Sequence, residues 1–406
     1  MILRGDNMST VKRGNRSAIL NLLHSRGETS RKRLAEQMKI TPAAITLITG
    51  EMIMEGLILE GNVQRTEKHS GRREIPLKIA YHNFFALGVA FGMNEDIVSA
   101  TRLDGTLIGS ERVPADLGLD VVTRVAGLSH KLSDLADAHG IDRERIVGLG
   151  ITVRGSVNVE KTHSVHSHGM FDERDIPLVR LFQSGTGFFT SMDNDARAMF
   201  RAHIFCTGQV ESSDLFICCE NGIGGAISAD GYLLTGNRGK CAALGHTPVV
   251  EEGGKPCFCG KTGCLETVAT PAALLADVSA IYSETRTPRL YSFTRGHVEN
   301  LNLDLIFRAA QGGDLEVDGI VQNAVKKLGA VIKPIAYALD PSGVLLYGQI
   351  FEHDYFLDSL HQCFADCIEV DPVHFVRKSS LNLTLDDKAA CIIAAEAFFA
   401  GGGYIV

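Results

Sequence analysis

Three cysteines and one histidine between positions 246 and 264 limit the possible structure of this chain more than any other part of it. Their spacing is H-x10-C-x-C-x4-C, and Gly260 and Gly263 allow the tight turns that let nearby thiols converge. Three thiolates and an imidazole form a closed tetrahedral shell for Zn²⁺, with no position left for water. The spacing predicts a structural zinc site rather than ordinary buried thiols beside an unrelated histidine, with the ligands His246, Cys257, Cys259 and Cys264.

The length of 406 residues exceeds one ordinary core, so two or three domains are expected. No run approaches the roughly 18 to 20 apolar residues that a membrane span needs, and the N-terminus lacks the apolar core of a signal peptide. Ten cysteines without a secretory signal indicate reduced thiols. These features predict a cytoplasmic protein that does not associate with membranes.

Charge is distributed unevenly along the chain. Residues 1–80 hold 14 of the 40 Lys and Arg but only 8 of the 48 Asp and Glu, which leaves 26 and 40 for residues 81–406. A basic segment binds polyanions because neutralising phosphates releases condensed counterions. The asymmetry therefore predicts a small nucleic-acid-binding domain, followed by an acidic body that does not adhere to DNA nonspecifically.

The basic segment has the pattern of three short helices. An apolar stripe predicts the first helix from about position 15 to 25, and Thr29 or Ser30 can cap the second. Thr41 followed by proline is typical of the start of a third helix. A strand and a basic hairpin come next, so residues 1–80 are predicted to form a winged helix-turn-helix domain. The alternative is a three-helix protein-interaction domain.

The third helix of such a domain enters the major groove, where hydroxyl groups can serve several bases and alanine methyls can pack on thymine methyls. Basic residues at the start of the second helix and on the predicted wing are suited to phosphates or to a minor groove. We therefore expect double-stranded DNA to be contacted by Arg31, Lys32, Arg33, Thr41, Ala43, Ala44, Thr46, Arg65, Lys68, Arg72 and Arg73.

From about position 83 the pattern changes to strands joined by glycine-containing turns. Asp104 and Gly105 are predicted to turn one hairpin, and the following segments predict a helix at 121–138 and a buried strand at 146–153. A later block repeats strand, glycine loop and Asp-Gly hairpin. This recurrence predicts a duplicated α/β unit, with two lobes and a cleft between them.

Several motifs together resemble the ROK family, named for repressors, open reading frames and sugar kinases. They are the helix-turn-helix ending in Ser-Gly-Arg-Arg, the Asp-Asn-Asp run at 193–195, Gly245 with His246, and the cysteine-rich segment at 257–266. The resemblance extends from about position 15 to 400. It implies an actin-like ATPase fold of the α/β class, related to ribonuclease H, with a sugar cleft and a zinc site close to it.

The resemblance also implies a division of the chain into an N-terminal DNA-binding domain and two lobes. Members of the family with such a domain are typically transcriptional regulators, and members without it are usually sugar kinases. The implied units are a winged helix-turn-helix at 1–80, a first lobe at 81–200 onto which a C-terminal helix at 383–400 packs back, and a second lobe with the zinc loop at 201–382.

The catalytic machinery of the kinases is only partly present. The resemblance implies that Asp195 occupies the place of the catalytic aspartate, which takes a proton from the sugar hydroxyl. Where kinases carry an Asp-x-Gly-Gly-Thr loop, this chain has Ala-Phe-Gly-Met-Asn at 90–94, and Glu220 enters the second phosphate loop, where its charge would repel a phosphate. We therefore expect no kinase activity, so that Asp195 is a vestigial base position.

The resemblance implies that a sugar or sugar derivative binds between the lobes. Ala243 replaces a glutamate that normally grips sugar hydroxyls, and Arg154 could pair with a phosphate or carboxylate of the ligand. His163, His166 and His168 could bind a second metal, or they could be loop residues of a variable pocket wall. The implied ligand set is Asn194, Asp195, His246 and Glu266.

Three functions are compatible with these residues. The favoured one is a repressor of carbohydrate-related genes that responds to a sugar and acts as a homodimer or homotetramer, because one short helix reads few bases. The second is an active ATP-dependent sugar kinase with an auxiliary DNA-binding domain. The third is a repressor controlled by a protein of the sugar phosphotransferase system instead of a sugar.

Overall fold

A computed structural model describes residues 8–61, 74–167, 169–208, 213–365, 371–381 and 385–405. The N-terminal segment (residues 1–80) contains three helices and a small antiparallel sheet with the strand order β1-β3-β2. Its elements are α1 (Met8–Arg26), β1 (Thr29–Ser30), α2 (Arg31–Met38), α3 (Pro42–Met54), β2 (Ile58–Glu60) and β3 (Pro76–Ile79).

The helix starts in this segment follow from local chemistry. The side-chain oxygen of Ser30 accepts a hydrogen bond from the Arg33 amide, and that of Thr41 accepts one from the Ala44 amide, as the capping residues predict. The first helix is longer than predicted and begins at Met8. Its first two turns are mostly polar, so the apolar periodicity could not show them.

The rest of the chain contains two five-stranded sheets with the same topology. In each, three antiparallel strands are followed by two parallel ones, in the orders β6-β5-β4-β7-β10 and β13-β12-β11-β14-β15. The duplication predicted from the glycine turns is therefore present. The strands are β4 (Phe85–Ala90), β5 (Glu95–Arg102), β6 (Leu107–Pro114), β7 (Ile146–Val153), β8 (Ser156–Val157), β9 (Ser164–His166), β10 (Thr190–Asn194), β11 (Asp214–Cys219), β12 (Ile223–Ala229), β13 (Tyr232–Leu233), β14 (Gly343–Tyr347) and β15 (Val376–Lys378).

Helices cover both sheets, and the predicted helix at 121–138 has the expected bounds. Within the described ranges, the structure contains no helix that is long and apolar enough to cross a membrane. The helices after α3 are α4 (Val121–Ala138), α5 (Leu178–Thr186), α6 (Asp195–Thr207), α7 (Glu266–Ala269), α8 (Pro271–Ile281), α9 (Pro288–Phe293), α10 (Leu303–Gly312), α11 (Leu315–Leu339), α12 (Asp354–Phe364), α13 (Pro372–Phe375) and α14 (Asp386–Ala400).

Helix α14 lies unusually close to the first sheet because two strand residues lack a side chain. A Cβ at Gly150 would come within 1.7 Å of the Ala390 carbonyl oxygen, and one at Gly88 within 2.8 Å of the Cys391 amide nitrogen. Helix α6 packs beside α14, and the apolar residues of both helices share one core with those of the N-terminal segment. The two helices thus connect the sheets to α1.

Two polar contacts join α1 to the ends of these helices. The fully buried Arg16 donates from Nε to the Gly402 carbonyl oxygen, just beyond α14, at 2.7 Å. The His24 ring stacks on Phe205 at 4.0 Å between centroids, and its Nε2 lies 2.9 Å from the Phe205 carbonyl oxygen in the last turn of α6. The N-terminal segment is therefore held against the body by α6 and α14.

Candidate functional site

A cavity of about 530 Å³ lies between the two sheets. Its wall includes the first residues of both connecting helices, Asp195 of α6 and Asp386 of α14, together with loops from each sheet. A volume of this size is typical of small-molecule sites. The cavity and the N-terminal segment thus lie at opposite ends of the same two helices.

All four residues of the expected ligand set line this cavity: Asn194, Asp195, His246 and Glu266. Asn194 also caps α6, because its Oδ1 accepts a hydrogen bond from the Arg197 amide. Its Nδ2 donates to the Gly155 carbonyl oxygen at 3.0 Å and to Asp195 Oδ1 at 2.8 Å. Both amide donors are engaged by the protein, so Asn194 orients Asp195.

The Asp195 carboxyl lines the cavity. Its burial raises the pKa, and the positive charge of Arg154 partly opposes this effect. One oxygen also accepts a hydrogen bond from the Ala196 amide at 2.9 Å. A carboxyl group in this environment can accept a hydrogen bond from a hydroxyl group.

The end of the cavity next to β4 is acidic. Glu220 and Asp386 line it, and burial raises the pKa of both carboxyls. The pKa of Asp386 rises to about 7, with the charge of Glu220 as the second cause. Glu220 Oε1 accepts a hydrogen bond from the Gln349 amide at 3.0 Å. Sequence reasoning missed Asp386, whose only local signal is an acidic residue at a helix start.

The loop that replaces the phosphate-binding turn of kinases is filled by contacts within the protein. Phe91 is buried, and the Gly92 amide donates to Asp96 Oδ1 at 3.1 Å. Asp96 in turn accepts hydrogen bonds from Arg124 at 2.6 and 2.8 Å. The backbone amide that could face a phosphate is therefore occupied by a carboxylate.

The four predicted metal ligands converge, with one donor atom from each lying within 4.8 Å of the others. Cys257 Sγ is 3.5 Å from His246 Nδ1, and Cys259 Sγ is 3.6 Å from Cys264 Sγ. A tetrahedral zinc ion with ordinary bond lengths would separate such atoms by about 3.6 and 3.8 Å. The cluster can therefore hold a metal ion, and its spacing fits zinc.

Glycines shape the loop that carries this cluster. Gly260 and Gly263 have φ of 85° and 70°, where a side chain would be strained. A Cβ at Gly263 would also lie 2.1 Å from the Val250 carbonyl oxygen. Glu266 follows the loop, and its Oε1 lies 2.8 Å from Cys257 Sγ and 3.3 Å from His246 Nδ1. The Glu266 carboxylate thus contacts two residues of the metal cluster and also lines the cavity.

Among the described residues, His163 and His166 belong to no cluster that could hold a metal ion. His163 Nδ1 lies 2.9 Å from Thr162 Oγ1, and His166 lies in β9. His168 lies outside the described residues.

The exposed surface of the N-terminal segment contains several of the predicted DNA contacts. Thr41, Ala43 and Thr46 are exposed on α3, whereas Ala44 is half-buried. Lys32 and Arg33 are exposed at the start of α2. Arg31 is partly engaged by the protein, since it contacts Thr49 and Glu60. The four predicted wing contacts lie outside the described residues: Arg65, Lys68, Arg72 and Arg73.

Comparison with known proteins gives one consistent family. The sequence model of the ROK family matches residues 86–395. The transcriptional dual regulator NagC of Escherichia coli is 25% identical over 86% of this chain and 83% of its own length. A glucokinase of Halalkalibacterium halodurans is 28% identical over 61% of this chain and 74% of its own.

Solved structures agree on the fold. A ROK family transcriptional regulator described as a homologue of E. coli Mlc superposes with a TM-score of 0.79 at 24% identity, covering 97% of this chain and 98% of that one. The fold is α/β, with two similar sheets around a cleft, and the family model matches three quarters of the sequence. The chain belongs to the ROK family.

Proposed function

We propose that this protein is a transcriptional repressor of carbohydrate-related genes that responds to a sugar or sugar derivative in the cavity. The observation that carries the proposal is the path from the cavity to the N-terminal segment. Helices α6 and α14 begin at cavity carboxylates, Asp195 and Asp386, and end at contacts with α1. The similarity to NagC, which is named a DNA-binding transcriptional regulator, supports the same function.

The two helices provide a route for coupling. At a rise of about 1.5 Å per residue, α6 and α14 are each roughly 20 Å long. A ligand that favours one arrangement of Asp195 and Asp386 biases the position of both helices, and therefore of α1. Such a coupling requires different ligand contacts in the two arrangements, which a cavity between two lobes provides.

The DNA-binding part of the proposal rests on the N-terminal segment as a winged helix-turn-helix. Its third helix presents Thr41, Ala43 and Thr46 to solvent, and Lys32 and Arg33 at the start of α2 are exposed. One such helix reads few bases, so the active form is a homodimer or homotetramer on double-stranded DNA in the cytoplasm. The proposed units are residues 1–80, residues 81–200 with the returning helix at 383–400, and residues 201–382.

Loss of kinase activity belongs to the same proposal. ATP would bring its phosphates and magnesium to the end of the cavity where Glu220 and Asp386 lie. The neighbouring loop has no carboxylate at position 90 for the metal, and its Gly92 amide is bonded to Asp96. Asp195 then remains as a binding carboxylate without a phosphoryl donor.

One experiment separates these functions. The purified protein is tested for binding to DNA upstream of carbohydrate genes and for ATP turnover with magnesium and a panel of hexoses. We expect specific DNA binding, at least about 10³-fold tighter than binding to random DNA, that a sugar derivative alters without consuming ATP. Steady turnover of ATP with a hexose would establish the kinase instead. Relief of DNA binding by a phosphotransferase protein, with no effect of sugars, would favour the third function.

We further propose that the metal is structural zinc bound by His246, Cys257, Cys259 and Cys264. Its role is to fix the loop that places His246 and Glu266 on the cavity wall. The donor set leaves no open position, so the ion supplies rigidity rather than a reactive water.

Replacing Cys257 or Cys259 with alanine should abolish stoichiometric zinc binding and loosen the loop, since three ligands hold the ion much less tightly than four. Metal analysis of the purified variants measures the first effect, and proteolysis at the loop measures the second. Cys363→Ala is a suitable control, because Cys363 is outside the cluster. Full zinc content in either loop variant would contradict the ligand assignment.

A further inference from the structure

We propose that the cavity ligand is a sugar derivative with an anionic group, a phosphate or a carboxylate, that pairs with the guanidinium of Arg154. This inference rests on the proposed function and specifies the chemical class of its effector. It starts from the position of Arg154, which follows β7 directly and lines the cavity.

Arg154 extends across the cleft between the two sheets. Its own carbonyl oxygen accepts a hydrogen bond from Ser167 Oγ at 2.7 Å, which fixes the backbone on the side of the first sheet. Its Nη2 lies against Gly222 in the loop between β11 and β12, where a Cβ would come within 2.2 Å. The guanidinium therefore occupies space inside the cavity that a side chain at position 222, in the opposite lobe, would fill.

The other two arginines on the cavity wall are neutralised by carboxylates. Arg112 pairs with Glu95 at 2.8 Å, and Arg197 pairs with Asp193 at 2.7 Å. Arg154 is different: within the described part of the chain, no carboxylate oxygen lies within 4.0 Å of its nitrogens, and no acceptor bonds to its side chain. A half-buried guanidinium presents five fixed donors, which suit a bidentate oxyanion.

In each of the two carboxylates nearest to Arg154, one oxygen already has other partners. Asp195 Oδ1 accepts hydrogen bonds from Asn194 and from the Ala196 amide. Glu266 Oε1 lies against Cys257 and His246. Both carboxylates interact with the charge of Arg154 only at longer range. They can bind sugar hydroxyls while the guanidinium remains available.

The rest of the cavity determines the orientation of the ligand. At the end next to β4, the carboxyl groups of Glu220 and Asp386 offer no positive charge to an anion, whereas Ala243 presents only a methyl group at the end next to the zinc loop. The lysine at position 240 adds a second, exposed positive charge to the cavity lining. The anionic group of the ligand is therefore placed at Arg154, with its hydroxyls towards Asp195 and Glu266.

Matched sugars test this inference. Calorimetry on the full chain and on Arg154→Gln measures the binding of two sets of sugars. The first set is glucose, glucose 6-phosphate and glucuronate, and the second is N-acetylglucosamine and its 6-phosphate. We expect an anionic sugar to bind the unmodified protein at least about tenfold more tightly than its neutral parent, and Arg154→Gln to remove that preference. Glucose 6-phosphate and glucuronate both carry their negative charge at C6, so comparing their affinities distinguishes a phosphate from a carboxylate.

Arg180→Gln is the matched control, because it removes the same charge from an exposed position on α5 that does not line the cavity. It should retain the preference for the anionic sugar, and the melting temperatures without ligand should show that both variants are folded. Equal or tighter binding of the neutral parents would overturn the inference and leave sugar sensing intact. A preference that survives Arg154→Gln would also overturn it. A panel without any binding would contradict both the inference and sugar sensing, whereas specific DNA binding would still support the repressor.

Discussion

Glu55→Ala should destabilise the N-terminal segment by about 1.5 to 3 kcal/mol, because it removes the counter-ion of a buried guanidinium. Arg16 is fully buried, and its two Nη atoms donate to the two carboxylate oxygens of Glu55. Its Nε is bonded to the Gly402 carbonyl oxygen, whereas the Glu55 side chain is 41% exposed, so water can replace only part of the lost interaction. Urea unfolding followed by circular dichroism measures the loss.

A similar ion pair one helical turn earlier provides the control. Lys12 contacts Glu51 at 2.7 Å, four residues before Arg16 and Glu55 on the same two helices, but the Lys12 side chain is 44% exposed. Glu51→Ala, which like Glu55→Ala removes the acid of the pair, should leave the unfolding curve nearly unchanged, since water solvates the Lys12 ammonium group that remains. If the two variants unfolded alike, burial of Arg16 would not be the source of the stability.

The same variant tests the coupling route. Loss of Glu55 frees both Nη atoms of Arg16 and weakens the attachment of α1 to the end of α14, so a ligand in the cavity should alter DNA affinity less than it does in the unmodified protein. Glu55 lies on α3 outside the cavity, so ligand affinity itself should change little. Unaltered ligand control of DNA binding in a destabilised Glu55→Ala would exclude α14 as the route.

Features with a short-range signature were predictable from the sequence. The metal cluster was visible because its four residues fall within 19 positions, and the caps at Ser30 and Thr41 because each acts on an amide three residues later. The duplicated topology was visible because each Asp-Gly hairpin carries its own turn signal. In all these cases the interacting groups are close in sequence, so the local residue pattern is enough to predict the contact.

Long-range contacts had no such signature. Arg16 and Gly402 are separated by 386 positions, and nothing near either residue indicates the other. Asp386 reaches the cavity only because α14 packs on Gly88 and Gly150 of the first sheet. Asn194 was expected to bind sugar hydroxyls, but local reasoning could not show that its amide donors are bonded to Gly155 and Asp195.

Asp193→Asn should be the second strongly destabilising substitution, at about 3 to 5 kcal/mol. Asp193 is 1% exposed and accepts hydrogen bonds from Arg197 and Lys161. The amide keeps the size of the carboxylate but not its charge, so the buried Arg197 loses its counter-ion. Arg197 also donates to the Gly239 carbonyl oxygen at 3.2 Å on the cavity wall, so ligand binding should weaken as well.

The pH dependence of this effect identifies its cause. Burial alone would raise the pKa of Asp193, but the charges of Arg197 and Lys161 outweigh it and hold the pKa below the ordinary value. A depressed pKa stabilises the folded state above the unfolded value of about 4, and that stability is lost as the pH falls through the folded pKa. The difference in unfolding free energy between the protein and Asp193→Asn should therefore be constant from about pH 5 to 8 and shrink below about pH 4.

Glu316→Gln removes the same charge from an exposed pair with Arg286 and should match the unmodified protein at every pH. A difference for Asp193→Asn that persists unchanged into acid would mean that packing of the side chain, rather than its charge, stabilises this wall of the cavity. If the difference in unfolding free energy disappears in acid, the stability comes from the ion pairs of Asp193 with Arg197 and Lys161. Since Asp193 immediately precedes Asn194 and Asp195, the same charge then holds the start of α6 in the position from which it can respond to a ligand.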